Sequence, residues 1–121
     1  MRGIEGEQVL LRIVLSESRT RDGQPLFRRV LELLRAEGLA GATVLKGIAG
    51  LGQRGDIHTV DIEVISQDLP IAIEAVDRPE RIAGVLPKLG LLVSDGSVTL
   101  ERARVIRYAD APRPRPSSNG R

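Results

Sequence analysis

The 121-residue chain has no cysteine, no tryptophan, one histidine, one phenylalanine and one tyrosine. The absence of cysteine excludes disulfides and thiol nucleophiles, and it agrees with a reducing cytoplasm. With so few aromatic side chains, the chain cannot form the stacking surface on which RNA-binding domains hold single-stranded RNA. No run approaches the roughly 18 consecutive apolar residues of a membrane span, and the N-terminus has no apolar signal segment. We expect a cytoplasmic protein that does not bind nucleic acid.

The excess of positive charge is confined to the last eleven residues, APRPRPSSNGR, which carry three arginines and no acid. Without them the chain has 15 basic and 16 acidic side chains, a formal net charge of −1. The isoelectric point near 9.7 therefore does not indicate a basic nucleic-acid-binding surface. The segment is rich in Pro, Ser and Arg and cannot bury apolar surface. We predict one folded domain over residues 1–110 and a disordered tail over residues 111–121.

Residues with catalytic chemistry are also scarce. The chain has no thiol, a single histidine, and one asparagine, Asn119, which lies in the tail. Acidic pairs such as Asp61 and Glu63 alternate with apolar residues, as expected on the solvated face of a strand. We therefore expect a protein that is not an enzyme.

The hydrophobic pattern predicts an alternating series of strands and helices. Residues 9–15 are β-branched and apolar, as in a central strand. A helix is predicted from Pro25 to Gly38, because apolar residues recur at helical spacing between a residue suited to the first turn and a residue suited to the C-terminal stop. Further strands are predicted over about 42–48 and 57–65.

The second half repeats this order. Residues 71–76 are predicted to form an additional short strand, and Asp77 with Glu80 has the spacing of a capping box. The helix that follows contains Pro87, which should kink or split it. A final strand is predicted over about 98–106. The core order β-α-β-β-α-β indicates an α+β, ferredoxin-like open sheet with helices on one face. The other face is left bare, which favours symmetric self-association.

The stretch GIAGLGQRG, residues 47–55, places Gly50, Gly52 and Gly55 on the G-x-G-x-x-G spacing of a dinucleotide-binding turn. That fingerprint requires a helix directly after the glycines, so that phosphate meets free backbone N–H groups. Residues 59–64 instead alternate polar and apolar with the period of a strand. The spacing is therefore a weak signal, and the glycines are predicted to connect two strands.

Three segments, GLAGATVLKGIAGLGQRGDIHT, LPIAIEAVDRPERIAGVLPKL and VTLERARVIRY, resemble an uncharacterised bacterial and archaeal family of PII-like proteins, the domain of unknown function 190. More distantly they resemble the nitrogen-regulatory PII signalling proteins. The resemblance covers about residues 7–109. It implies a homotrimer with clefts between subunits, which in PII bind adenine nucleotides, and contact with a regulatory or membrane-protein partner.

The resemblance implies a nucleotide-binding set drawn from the glycine segment, the turn before the last strand and the end of that strand. The set is Gly47, Gly50, Gly52, Gln53, Arg54, His58, Ser94, Asp95, Gly96, Arg104 and Arg107.

Several of these residues have a second interpretation. The glycines either form a nest of N–H donors for phosphate or only allow a tight, mobile connection. Arg54 and Arg104 either reach phosphate or are solvated charges, and His58 either contacts a ligand or makes an ordinary hydrogen bond. The segment 22–24 either lines the same cleft or forms a turn and cap before the first helix. Arg107 is the strongest candidate, since its planar fork suits phosphate.

The candidate ligands are AMP, ADP and ATP. Ser97 stands where the PII turn has lysine, and Ala109 where PII has a basic residue. A mono- or diphosphate, or another small anion, is therefore favoured over tightly bound ATP. The alternative is a structural or protein-interaction trimer without a nucleotide, such as an accessory to a transporter or channel.

Overall fold

The structure, a computed structural model, describes residues 4–51, 55, 57–59 and 68–108. Eight strands and two helices are formed over these residues. In chain order they are β1 (Gly6–Ser16), β2 (Thr20–Arg21), β3 (Gln24–Pro25), α1 (Leu26–Ala36), β4 (Thr43–Lys46), β5 (Ala49–Leu51), β6 (Ile57–Thr59), β7 (Pro70–Asp77), α2 (Pro79–Leu92) and β8 (Ser97–Val105). The segment 109–121, which includes the predicted tail, lies outside the described residues.

The main sheet has four antiparallel strands in the order β4-β7-β1-β8. Strand β1 pairs with β7 on one side and with β8 on the other. The sequence β1-α1-β4-β7-α2-β8 is therefore β-α-β-β-α-β, and the buried residues of both helices pack into one cluster with one face of the sheet. The predicted ferredoxin-like fold is confirmed.

The third strand of the core was predicted in the wrong place. Residues 57–59 pair with β5 in a separate two-stranded sheet, whereas β7 pairs with both β1 and β4. The remainder of the predicted strand, residues 60–65, lies outside the described residues. Both segments have the composition of a strand, and composition does not identify the partner strand. Strand β7 is central because its alternate residues pack beneath the helices.

The helix-covered face holds the core. The buried apolar residues of α1 are spaced four apart, and those of α2 are spaced three and four apart. The buried apolar residues of β1 and β7 alternate along each strand. Each of these side chains is exposed by 5% or less. The cluster comprises Leu11, Ile13, Leu15, Leu26, Val30, Leu34, Ile71, Ile73, Ala75, Ile82, Val85 and Leu89.

The helix ends agree with the sequence in one case. Gly38 follows the end of α1 with φ of +80°, as predicted for the helix stop. The split that was predicted at Pro87 does not occur, because α2 continues through this residue as one helix. Pro87 and Ala83, the residue four before it, are exposed, so water can bond the carbonyl that proline leaves without a donor.

Within the described residues neither helix has the length and apolarity needed to cross a bilayer.

The predicted capping box at Asp77 and Glu80 is not formed. The N-cap of α2 is Arg78, and no side chain caps it. Asp77 is instead fully buried and accepts hydrogen bonds from the backbone N–H groups of Ala40 (2.8 Å) and Arg78 (2.7 Å). As the last residue of β7, it ties the loop after α1 to the start of α2.

The face of the sheet opposite the helices, which we call the open face, is covered by neither helix. Its central position is Arg12, whose Nε lies 2.8 Å from Glu74 Oε2 and whose Nη1 lies 2.7 Å from Glu101 Oε1. The hydrogen bond to Glu74, followed by that to Glu101, raises the pKa of the Arg12 guanidinium. Three strands are thus joined by one charged group. Half-buried apolar residues flank it, namely Leu10, Val14, Ala72 and Val76.

Candidate functional site

The residues predicted to bind nucleotide lie at two opposite ends of the sheet. Ser97 pairs with Val14, and Ser16 pairs with Pro70, so the turn before β8 and the chain after β4 share one end. We call it the glycine end. Val105 pairs with Gly6 at the other end, beyond which Arg107 lies. Strand β8 has nine residues and therefore spans about 30 Å. One chain does not bring Arg107 to the glycine end.

Gly47 and Gly50 pack against the ring of Pro70. The N–H of Gly47 donates to the carbonyl of Pro70 at 2.8 Å. A Cβ atom on Gly47 would lie 2.6 Å from Pro70 Cγ, and one on Gly50 would lie 3.0 Å from the same atom. Because these approaches leave little or no room for a side chain, both positions favour glycine whether or not a ligand binds.

The turn formed by residues 94–97 is packed equally closely against the end of β1. Gly96 has φ of +113°, and a Cβ there would lie 2.4 Å from the carbonyl oxygen of Val14. Asp95 of this turn forms an ion pair with Arg19, which follows β1. The predicted residues Asp95 and Gly96 are therefore held in a fixed turn with a guanidinium beside it.

A second acidic residue organises the other side of the glycine end. Asp68 Oδ1 accepts hydrogen bonds from the hydroxyl of Ser18 at 2.8 Å and from that of Ser16. The backbone N–H of Glu17 donates to the carbonyl of Leu69 at 2.9 Å. The segment after β1 is thereby attached both to the turn before β8 and to the segment before β7.

The polar run SESRTRDGQ, residues 16–24, lies between the first predicted strand and the first predicted helix. Its only signal of a site was its density of hydroxyl and charged groups. In the structure residues 16–19 lie between the two loops that carry predicted site residues.

The β2–β3 hairpin lies next to this segment. Asp22 and Gly23 have φ of +54° and +80° and form the turn predicted for residues 22–24, while Gln24 begins β3. The predicted cap is not formed, since no side chain caps the N-terminus of α1. Arg21 Nη1 donates to the carbonyl of Leu92 at 3.0 Å, at the C-terminus of α2. Asp22 Oδ2 lies 3.5 Å from Arg29 of α1. The hairpin is therefore attached to both helices.

The opposite end of the sheet holds the two predicted arginines of the last strand. Arg104 and Arg107 are both exposed, Arg104 on edge strand β8 and Arg107 just beyond it. Tyr108 fixes the chain after Arg107, since its N–H donates to Glu5 Oε2 at 2.9 Å and its hydroxyl donates to the carbonyl of Ala40 at 3.1 Å. Arg107 is thus a solvent-facing cation on an anchored segment.

Part of the predicted set falls outside the described residues. Gly52, Gln53 and Arg54 lie there, as does the side chain of His58. Their assignment stays a prediction.

The architecture defines a PII-like fold. The solved structure of CPII from Thiomonas intermedia K12, a nitrogen regulatory PII-like protein bound to ADP, AMP and bicarbonate, superposes with a TM-score of 0.65 at 20% sequence identity, over 84% of this chain and 90% of that chain. The divalent cation tolerance protein of Thermus thermophilus has a TM-score of 0.51 at 12% identity, over 88% of this chain and 87% of that chain.

The sequence comparison is more specific. The model of the DUF190 family, described as Uncharacterized ACR, matches residues 8–105. A UPF0166 protein of Methanocaldococcus jannaschii is 38% identical over 91 residues, which cover 75% of this chain and 83% of that protein. A UPF0166 protein of Aquifex aeolicus is 35% identical over 97 residues, covering 80% and 91%. The chain belongs to the DUF190, or UPF0166, family.

Proposed function

We propose that this protein is a PII-like regulatory homotrimer that binds an adenine nucleotide, or another small anion, in clefts between its subunits. In this proposal the glycine end of one subunit supplies backbone N–H donors and the Asp95–Gly96 turn. A neighbouring subunit supplies Arg107. The protein acts through ligand occupancy and catalyses no reaction.

The observation that carries the proposal is the separation of the candidate residues on a fold that binds adenine nucleotides elsewhere. Arg107 and the glycine end lie about 30 Å apart, the length of a nine-residue strand. A site that uses both needs two subunits. CPII, which shares the fold, was solved with ADP and AMP.

The open face supports the assembly. It presents half-buried apolar side chains on β1 and β7, and Leu45 on β4 is 49% exposed. Packing this face against copies of itself would remove apolar surface that the helices do not cover.

The sequence around the site favours a ligand with few phosphates. Ser97 and Ala109 are neutral, so the proposed cleft has fewer cations than a triphosphate site requires. We therefore expect AMP or ADP to bind more tightly than ATP.

Ligand-dependent melting tests the proposal. A nucleotide at one hundred times its Kd should stabilise the native state by about 2.7 kcal/mol. We expect AMP and ADP to raise the Tm. Unfolding is monitored by circular dichroism, because the chain has no tryptophan for a fluorescence measurement. Arg107→Ala should weaken this shift while sedimentation still detects the trimer, and Arg28→Ala, on the exposed surface of α1, is the matched control. No shift with any adenine nucleotide would contradict the proposal.

One observation favours the alternative, a protein-interaction trimer without a nucleotide. Leu51 and Ile57 pair across the β5–β6 hairpin, and each is 74% exposed. Ile48, just before the hairpin, is 76% exposed. Such an apolar tip is typical of a protein contact. This function is favoured if the parent protein binds a partner protein and the Leu51→Ser variant does not. AMP and ADP should then have no effect on that binding.

A further inference from the structure

The turn at residues 94–97 contains an acid and no basic residue, yet a guanidinium from a distant part of the sequence lies beside it. Both helices lie between Arg19 and Asp95 in the sequence, yet the two residues form an ion pair. An acidic turn alone would repel an anion. The structure therefore brings to this turn a positive charge that the local sequence lacks.

The backbone of Arg19 is fixed on both sides. Its N–H donates to the carbonyl of Ser16 at 3.1 Å, and its carbonyl accepts from the N–H of Leu26 at 2.8 Å. The adjoining hairpin is attached to α2 through Arg21. The root of the Arg19 side chain is thus held in place, and only its long side chain is free to change partners.

Other cations at this end are occupied differently. Lys46 pairs with Glu17 at 2.7 Å, away from the turn before β8, and Arg21 donates to helix carbonyls. Arg19 alone of these three contacts a residue of the predicted phosphate-binding turn.

The ion pair is also accessible. The side chains of Arg19 and Asp95 are each 45% exposed. An exposed pair of this kind contributes little to stability, because water and salt screen it. A guanidinium can also form two parallel hydrogen bonds to a phosphate, which are stronger than one exposed carboxylate contact. A phosphate can therefore compete with Asp95 for the Arg19 guanidinium.

We propose that Arg19 binds the phosphate of the ligand at the glycine end and releases Asp95 when it does so. This inference rests on the proposed function, since it identifies a cation of the same cleft. It makes the ligand a phosphate-bearing molecule and makes Asp95 the competitor that lowers affinity for it.

Calorimetric titration without divalent cations tests Arg19 with two probes, ADP and inorganic pyrophosphate. We expect Arg19→Ala to weaken binding of both by about tenfold or more, and Arg19→Lys to recover part of the loss. The matched control, Arg28→Ala, removes an exposed arginine of α1 and should leave both affinities unchanged. Equal affinities in Arg19→Ala and the parent would overturn the inference.

Asp95→Asn tests the exchange of partners. With the competing charge removed, pyrophosphate should bind about twofold to fivefold more tightly when Arg19 is present, and the gain should vanish in the double variant with Arg19→Ala. Weaker binding by Asp95→Asn would overturn the exchange. Circular dichroism of each variant checks that the fold is retained.

The two probes separate this inference from the proposed function. Binding of pyrophosphate that depends on Arg19, without binding of any adenine nucleotide, would support Arg19 and contradict the nucleotide proposal. Binding of ADP that is independent of Arg19 would do the reverse. A parent protein that binds neither probe would overturn both.

Discussion

The two faces of the main sheet are built differently although the same strands form them. On the helix-covered face, Leu11, Ile13 and Ile73 are fully buried and contact both helices' apolar residues. On the open face, half-buried apolar residues surround Arg12, which joins Glu74 and Glu101. One face is completed within the chain. The other is covered by neither helix, and water screens its charged centre in a single copy.

Stability and assembly therefore depend on alternate residues of the same strand. A change on the helix-covered face should act on folding of the subunit. A change one position along should act mainly on association, because successive side chains of a strand point to opposite faces.

The largest effect on folding is expected from Ile73→Ala. Ile73 is fully buried between the sheet and the helices, so truncation removes contacts and leaves a cavity. We expect the free energy of unfolding to fall by about 2–5 kcal/mol, measured by urea denaturation at one fixed protein concentration. The matched variant Val76→Ala, on the open face of the same strand, should cost less. Equal losses would mean that the two faces are equally buried in the assembly.

The largest effect on assembly is expected from Val14→Lys. Val14 lies on the open face between Ala72 and Ser97, so a lysine there stays solvated in one copy but is buried unpaired in a trimer. Sedimentation should change from about three times 13.1 kDa to a single 13.1 kDa subunit with its circular dichroism spectrum unchanged. Ala83→Lys, on the exposed surface of α2, should sediment like the parent. A parent that is already a single subunit would contradict the assembly.

The smallest effect on the isolated subunit is expected from Arg12→Gln. The ion pairs it removes are partly exposed and are screened by water. The same change leaves Glu74 and Glu101 without a cation, so burying them in an assembly becomes unfavourable. We expect a nearly unchanged unfolding midpoint for the subunit and a weaker trimer, whose dissociation is measured by sedimentation at several concentrations. Stronger association in the variant would show that the open face is not the interface.

Much of the fold could be predicted from local pattern. The helix period, Gly38 as the stop of α1, and the strands predicted over residues 9–15 and about 98–106 all depend on neighbouring residues, and the structure confirms them. The capping box at Asp77 was predicted wrongly for a different reason. Spacing of an acid before a helix does not reveal that its carboxylate is buried and already bonded to Ala40, 37 positions away.

The candidate site was predicted by resemblance to a family rather than by spacing. The glycines could be located in the sequence, but their contact with Pro70 could not, because it depends on pairing of β4 with β7. The contact of Arg19 with Asp95 was missed because it likewise depends on pairing of strands distant in the sequence, here β1 with β8.

The sequence alone specifies both helices, the first and last strands, the absence of disulfides and aromatic platforms, and the apolar residues available for a core. These are properties of residue type and short-range period. Long-range strand pairing places β7 between β1 and β4, brings Arg19 to Asp95, and puts Arg107 a strand length away from the glycine end. These contacts form because the sheet and both helices pack around one core. The local sequence pattern does not specify which strands pair in that sheet.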